Sequence, residues 1–238
     1  MAFKYFSNIV TDGLLLYIDA ANIKSYPGSG TIWSDLSRGG NNGTLTNGPT
    51  FNSGNRGSIV FDGVDDYVDF GNNNSFTNPN GFSISAWFKP ASYSGGSPLL
   101  EKYQSSGYEF VFGTLSDNVY GWVYDNNTDG YRGRYFTGIS SYVPLNTWGN
   151  FVYTYDGQGL TSSSKIYINT IQRDNIDFSG GSFTTIQNTS TTLTLGGYNP
   201  GLGGPINGSV SILSFYNRPL SSTEIIQNYN VTKGRYGL

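Results

Sequence analysis

Short apolar alternations, each closed by Gly, Asn, Asp, Ser or Pro, run along almost the whole chain. In Phe82–Phe88, residues Phe82, Ile84, Ala86 and Phe88 share one face, with Ser83 and Ser85 on the other. That period of two is the mark of a half-buried strand. Phe151–Tyr155 and Lys165–Asn169 alternate in the same way. Further strands are predicted at Leu14–Asp19, Ile59–Phe61, Tyr67–Phe70, Pro98–Lys102, Tyr108–Phe112, Val119–Tyr124, Tyr131–Phe136, Thr192–Leu195 and Ser209–Tyr216. Turn signals recur every roughly eight to twelve residues, as expected of an all-β sandwich. Asp62-Gly63, set between Ile59–Phe61 and Tyr67–Phe70, predicts a hairpin, because Gly accepts the positive φ of a tight turn.

One helix is predicted. Ser221 and Glu224 have the spacing of a capping box, and Leu220 and Ile225 that of a hydrophobic staple. The helix carries Ile225, Ile226 and Tyr229 and stops near Gly234. Pieces such as Ser92–Ser97 and Asp177–Ser182 are loop-sized, with strands resuming after each. A single domain over 1–238 is therefore expected, with an N-terminal arm (1–12) and a C-terminal helix and tail (221–238).

Composition narrows the chemistry. The 238 residues include no Cys and no His, which excludes disulfides, thiolate catalysis, a Ser-His-Asp triad and most zinc sites. Charged residues are 12% and aromatics 16%, a profile of strands and turns with few helix formers. A net charge of −3 argues against a nucleic-acid partner. Leu14–Ile18, the longest apolar run near the start, is too short to span a bilayer, so no membrane insertion is expected. It also follows polar residues, unlike a signal peptide.

The string SIVFDGVDDYVDF at 58–70 resembles laminin-G-like domains of the concanavalin A-like lectin/glucanase superfamily. FSISAWFKP (82–90), NTWGNFVYTYDG (146–157), KIYINTIQ (165–172), TLTLGG (192–197) and the closing segment 206–230 resemble the same family in the same order. This resemblance implies a concanavalin A-like antiparallel β-sandwich, or jelly roll, with a short C-terminal helix. It says far less about the ligand, since the superfamily hosts lectins, hydrolases and inert spacers. Residues 15–51 and 216–238 are similar to single-domain virion structural proteins of tailed bacteriophages. That implies a virion protein made in the host cytoplasm and released by lysis, displayed on capsid, neck or tail with other virion proteins as partners.

Two departures from the family bear on these expectations. Ser211-Ile212 stands where relatives often carry Asp-Glu, the Asp being associated with bound calcium, so no metal or other cofactor is assigned. Ile212, apolar at an outward position, instead suggests a homo-oligomer contact. Thr170 replaces a usual turn Gly, which suggests a wider hairpin.

No catalytic residue is assigned. Glycosidases of this superfamily set paired carboxylates across one sugar, whereas Glu101, Glu109 and Glu224 fall in no such pattern. Asp62, Asp65, Asp66 and Asp69 are read as turn caps or, less readily, calcium ligands, with Asp65 and Asp66 pointing apart. Trp33, Trp87 and Trp148 read as core anchors. Trp122 differs, because it lies among Tyr103, Tyr108, Tyr120, Tyr124, Tyr131, Tyr135 and Tyr142 in the stretch least like the family. Trp122, Tyr124, Asp129 and Tyr131 are the candidate carbohydrate-binding residues: rings for the C–H faces of a host-surface glycan, Asp for its hydroxyls. The alternative is a decoration or cementing protein whose hairpin packs on a sheet or on a neighbouring subunit. Arg132 and Arg134 alternate on one strand and are expected to form surface salt bridges.

Overall fold

The computed structural model describes residues 8–197 and 204–238; residues 1–7 of the expected N-terminal arm lie outside this range. Six strands come first: β1 (Leu14–Asp19), β2 (Ile32–Trp33), β3 (Gly43–Thr46), β4 (Thr50–Asn52), β5 (Ser58–Asp62) and β6 (Tyr67–Asp69). The longer central strands are β7 (Phe82–Pro90), β8 (Gly96–Gln104), β9 (Gly107–Leu115), β10 (Asn118–Asp125), β11 (Gly130–Thr137) and β12 (Gly149–Tyr155). Then come β13 (Ser164–Ile168), β14 (Ile171–Gln172), β15 (Ile176–Gly180), β16 (Thr194–Leu195), β17 (Asn207–Tyr216) and the helix α1 (Ser222–Thr232).

Among the described residues these strands form two antiparallel sheets. One runs β14-β13-β12-β7-β17-β5-β4, with β1 beside the second half of β17. The other runs β15-β11-β10-β9-β8-β16-β6-β3-β2. Their inner faces meet in a core that includes Phe82, Ile84, Phe110, Phe112, Val119, Val123, Phe151, Tyr153 and Phe215. Phe82 and Phe215 stack at 5.5 Å across neighbouring strands. Every predicted strand is present. The segments that sequence reading left as loops, β2, β3, β4, β14 and β15, are short strands at or next to sheet edges, with too few residues for a clear period.

The stretch 58–70 departs from its reading. β5 pairs with β4 and β17, whereas β6 pairs with β3 and β16 in the opposite sheet. The Asp62-Gly63 turn is therefore a corner between sheets and not a hairpin. Gly63 supplies φ +78° there, and any Cβ would lie 2.8 Å from the Asn207 amide. The β13–β14 connection also corrects an expectation. Ile168 pairs directly with Ile171, leaving Asn169 and Thr170 as a two-residue turn with φ +49° and +75°. The hairpin is not widened; Thr170 instead adopts the backbone that Gly would take.

Helix α1 begins as predicted. Ser221 Oγ accepts from the Glu224 amide at 3.3 Å, and Glu224 accepts from the Ser221 amide at 2.9 Å. The helix and the residues after it cover the outer face of the β7–β17 sheet, where Val10, Val152, Tyr167, Tyr216, Leu220 and Ile225 form a second apolar cluster. Trp87 lies on this outer face. Its ring stacks on Tyr236 at 4.1 Å and Tyr229 at 5.4 Å, and its indole donates to Thr232 Oγ1. Trp33 is fully buried as expected, but Trp148 is only half-buried, with its ring beside Tyr236 and its indole donating to Asn55. Ile212 is 5% exposed, on the face that this C-terminal segment covers. Its apolar side chain is used within the chain and offers nothing to a second copy.

Candidate carbohydrate-binding face

Among the described residues, the outer face of the other sheet has no such helix on it. Register across it places Thr44, Asp69, Thr194, Glu101, Val111, Trp122, Gly133 and Phe178 in one continuous row. Directly paired residues of antiparallel strands share a face, so all of these face outward. Gly133 is required: a Cβ there would lie 2.3 Å from Trp122 Cβ. Its absence lets the Trp122 ring reach Phe178, at 5.2 Å between centroids.

Around Trp122 the rings are contiguous. Tyr120 stacks on Trp122 at 4.7 Å, and Phe178 meets Tyr131 at 4.7 Å. Tyr131 lies parallel to Tyr124 at 6.4 Å, Tyr124 meets Tyr108 edge-on at 5.2 Å, and Tyr108 packs on Tyr103 at 4.3 Å. Tyr103, Tyr108, Trp122, Tyr124, Tyr131, Tyr135 and Phe178 are each half-buried, so each keeps part of its ring open. The platform crosses β8, β9, β10, β11 and β15, about 19 Å at the usual strand spacing.

The loop between β10 and β11 frames one end. The Tyr124 hydroxyl donates to Asp129 Oδ1, and this bond raises the Tyr124 pKa above the ordinary tyrosine value. Burial pushes Tyr103 up to about 12, with Tyr108 and Glu101 adding to the effect. These hydroxyls therefore stay protonated, neutral hydrogen-bonding groups at any physiological pH. Asn126 Oδ1 accepts from the Tyr108 amide at 2.9 Å, tying the loop to β9. Beneath it, Asp125 is fully buried and accepts from the amides of Asn127 (3.0 Å), Thr184 (2.7 Å) and Thr185 (3.2 Å) and from Gln187 Nε2 (2.8 Å). Burial alone would raise its pKa, but these donors bring it down to about 2.

β8 and β9 position the two tyrosines at this end through a register shift between Lys102 and Tyr103. Lys102 and Glu109 form a fully buried ion pair of 2.9 Å. Glu109 also accepts from Thr77 Oγ1 and from the amide and hydroxyl of Thr189, so it serves structure. Glu224 is likewise engaged, in a double contact with Arg218.

All four predicted residues, Trp122, Tyr124, Asp129 and Tyr131, thus lie together. Sequence reading missed Phe178, which sits in a piece taken for a loop; the alternation in Ile176–Gly180 was its signal, obscured by the following Gly181. Tyr142 is not part of the face but lies under Arg173, 3.9 Å from its ring. Arg132 and Arg134 point to the inner side. Arg134 pairs with Asp174 and Asp177, as expected of a salt-bridged strand, and Arg132 donates to the carbonyls of Tyr131, Gly180 and Gly181.

The aspartates of the corner act on backbone. Asp62 Oδ1 accepts from the Val64 amide, Asp66 Oδ2 from the Asp62 amide, and Asp69 Oδ1 from the Gly71 amide. Asp65 and Asp66 do not point apart: one oxygen from each of Asp62, Asp65 and Asp66 falls within 4.8 Å of the others. At Ser211 the Arg235 guanidinium donates to Ser211 Oγ and pairs with Asp19 at 2.8 Å. The cation facing Ser211 and Asp19 is an arginine.

A laminin-G model described as the concanavalin A-like lectin/glucanases superfamily matches residues 62–226, more than half of the chain. The chain belongs to this superfamily. No curated protein matches it. Among solved structures, the ligand-binding domain of botulinum neurotoxin serotype D in complex with N-acetylneuraminic acid aligns with a TM-score of 0.67 and 15% identity. That alignment covers 93% of this chain and 51% of the toxin domain. Domain 4 of AbnA, an extracellular arabinanase of Geobacillus stearothermophilus, in complex with arabinotriose, aligns with a TM-score of 0.63 and 16% identity over 92% of this chain and 100% of that domain. The binding domain of Paraclostridial Mosquitocidal Protein 1 aligns with a TM-score of 0.65 and 15% identity, over 92% and 52% of the two chains. The chain thus spans about half the length of the toxin domains that it resembles. At these identities the likeness is one of fold.

Proposed function

We propose that the chain is a non-catalytic glycan-binding module whose ligand lies on the aromatic face of the β8–β11 and β15 strands. The observation that carries this reading is the contiguous platform of half-open rings on a sheet face, with Asp129 and neutral tyrosine hydroxyls at its edge. Sugars stack their C–H faces on such rings and bond their hydroxyls to such groups. Neighbours of the same fold were solved with N-acetylneuraminic acid and with arabinotriose, which supports a saccharide as the class of ligand.

Catalysis is the weaker reading on one geometric ground. Asp69 and Glu101 share the outer face two strands apart, each paired with Thr194, and are the two carboxylates that register aligns on that face. Glu101, however, is 1% exposed and cannot protonate a sugar on the surface. The similarity of the chain's two ends to phage virion proteins extends the proposal: the module is displayed on a particle and holds host-surface glycan. One stacked ring is worth about 1 kcal/mol, so adhesion then depends on many copies per particle.

A glycan array probed with purified protein tests the reading. Binding should fall about ten-fold or more when Tyr124 and Tyr131 are both replaced by Ala, with the fold intact by circular dichroism. Undiminished binding in that variant would remove the face from the account. Particles that become unstable yet adsorb normally would favour a cementing role instead.

A further inference from the structure

We infer that the aromatic face selects uncharged saccharide chains and discriminates against acidic ones. This rests on the glycan reading above and names the ligand class of the same face. The placement of charge carries it. Strands β8–β11 and β15 contain three cations, Lys102, Arg132 and Arg134. All three turn away from the platform. Lys102 is fully buried against Glu109. Arg132 spends its guanidinium on the carbonyls of Tyr131, Gly180 and Gly181 and lies over the Phe183 ring. Arg134 is held between Asp174 and Asp177.

The exposed charge on the outward side of these strands and their loop is a carboxylate. Exposed Asp129 stands at the loop end beside Tyr124, whereas Glu101, in the same row as Trp122, is buried. The other polar groups there are neutral: the hydroxyls of Tyr103, Tyr108, Tyr120, Tyr124, Tyr131 and Thr194. Among these, Tyr120 Oη and Thr194 Oγ1 are buried and carry no hydrogen bond. A neutral sugar finds ring faces and hydroxyl partners on this surface. A sugar carboxylate meets the like charge of Asp129, with none of the three strand cations turned toward it, and such juxtaposition is unfavourable at close range. Basic groups do accompany aromatic rings on the opposite face, where Lys89 lies over Trp148 and Lys233 over Tyr229, so the asymmetry belongs to this face.

The test is binding to matched glycan pairs that differ only in a terminal N-acetylneuraminic acid, at low ionic strength, with arabinotriose as an additional neutral probe. The neutral member of each pair should bind about ten-fold or more tightly, with the gap closing as salt rises. Asp129→Asn keeps a residue type that tolerates the φ of +58° at this position, and it should narrow the ratio of neutral to acidic binding whatever it does to the neutral member alone; an unchanged ratio would overturn the inference. Acidic members binding as well as or better than their neutral partners would overturn the inference and leave the glycan reading standing. Binding of neither member would overturn both.

Discussion

Thr170 holds a φ of +75° in a two-residue turn, a region where a β-branched side chain crowds the backbone. Thr170→Gly should therefore raise stability by about 1 kcal/mol, read as a rise of about 2–4 °C in melting temperature. A fall in melting temperature would show that the Thr side chain contributes more than the strain costs. Asp125 is the opposite case, a fully buried carboxylate held ionised by donors that order residues 184–187 over the β10–β11 loop. Its folded pKa of about 2 is depressed, as is that of Glu224, which Arg218 holds at about 2. Both groups therefore stabilise the fold fully above the ordinary carboxylate range and lose that contribution as pH falls toward 2. Asp125→Asn should cost about 1–3 kcal/mol at pH 7 and flatten the loss of stability between pH 5 and 2. Urea midpoints measured across that interval check it. The identity of Asp125 as a structural node was not legible in the sequence, because apart from the Asn127 amide its partners lie some sixty positions away and carry no motif.

At the scale of elements, much was legible where the period of two ran over five or more residues, as in β7 and β12. The capping box of α1 was equally plain, because its two partners are local. What failed was pairing. Asp62-Gly63 has the composition of a hairpin turn, but turn chemistry fixes only the reversal and not which sheet receives the next strand. Phe178 was lost for a related reason: the alternation of its five-residue strand runs into Gly180-Gly181, and its place on the face follows only from pairing with Gly133 and contact with Tyr131. The C-terminal segment was read as a tail, yet it clasps the outer sheet face through Trp87, Tyr229, Tyr236 and the Arg235–Asp19 pair. Trp87→Ala should cost about 3–5 kcal/mol, measured by denaturant unfolding, as for other buried aromatics. A loss below 1 kcal/mol would mean that the clasp contributes little.

For the whole molecule, the two outer sheet faces are treated differently. One is covered by the chain's own helix, and the other is lined with aromatic rings kept partly open. The four tryptophans sample this division: Trp33 in the interior, Trp87 under the clasp, Trp148 at its margin and Trp122 on the platform. The most direct measurement is a 15N-correlated NMR titration of the indole N–H signals with neutral oligosaccharides, the Trp122 signal being assigned by Trp122→Phe. The Trp122 resonance should shift saturably while Trp33, Trp87 and Trp148 stay in place. A saturable shift at Trp148 with Trp122 unmoved, or no shift with any saccharide, would contradict the claim that this face holds glycan.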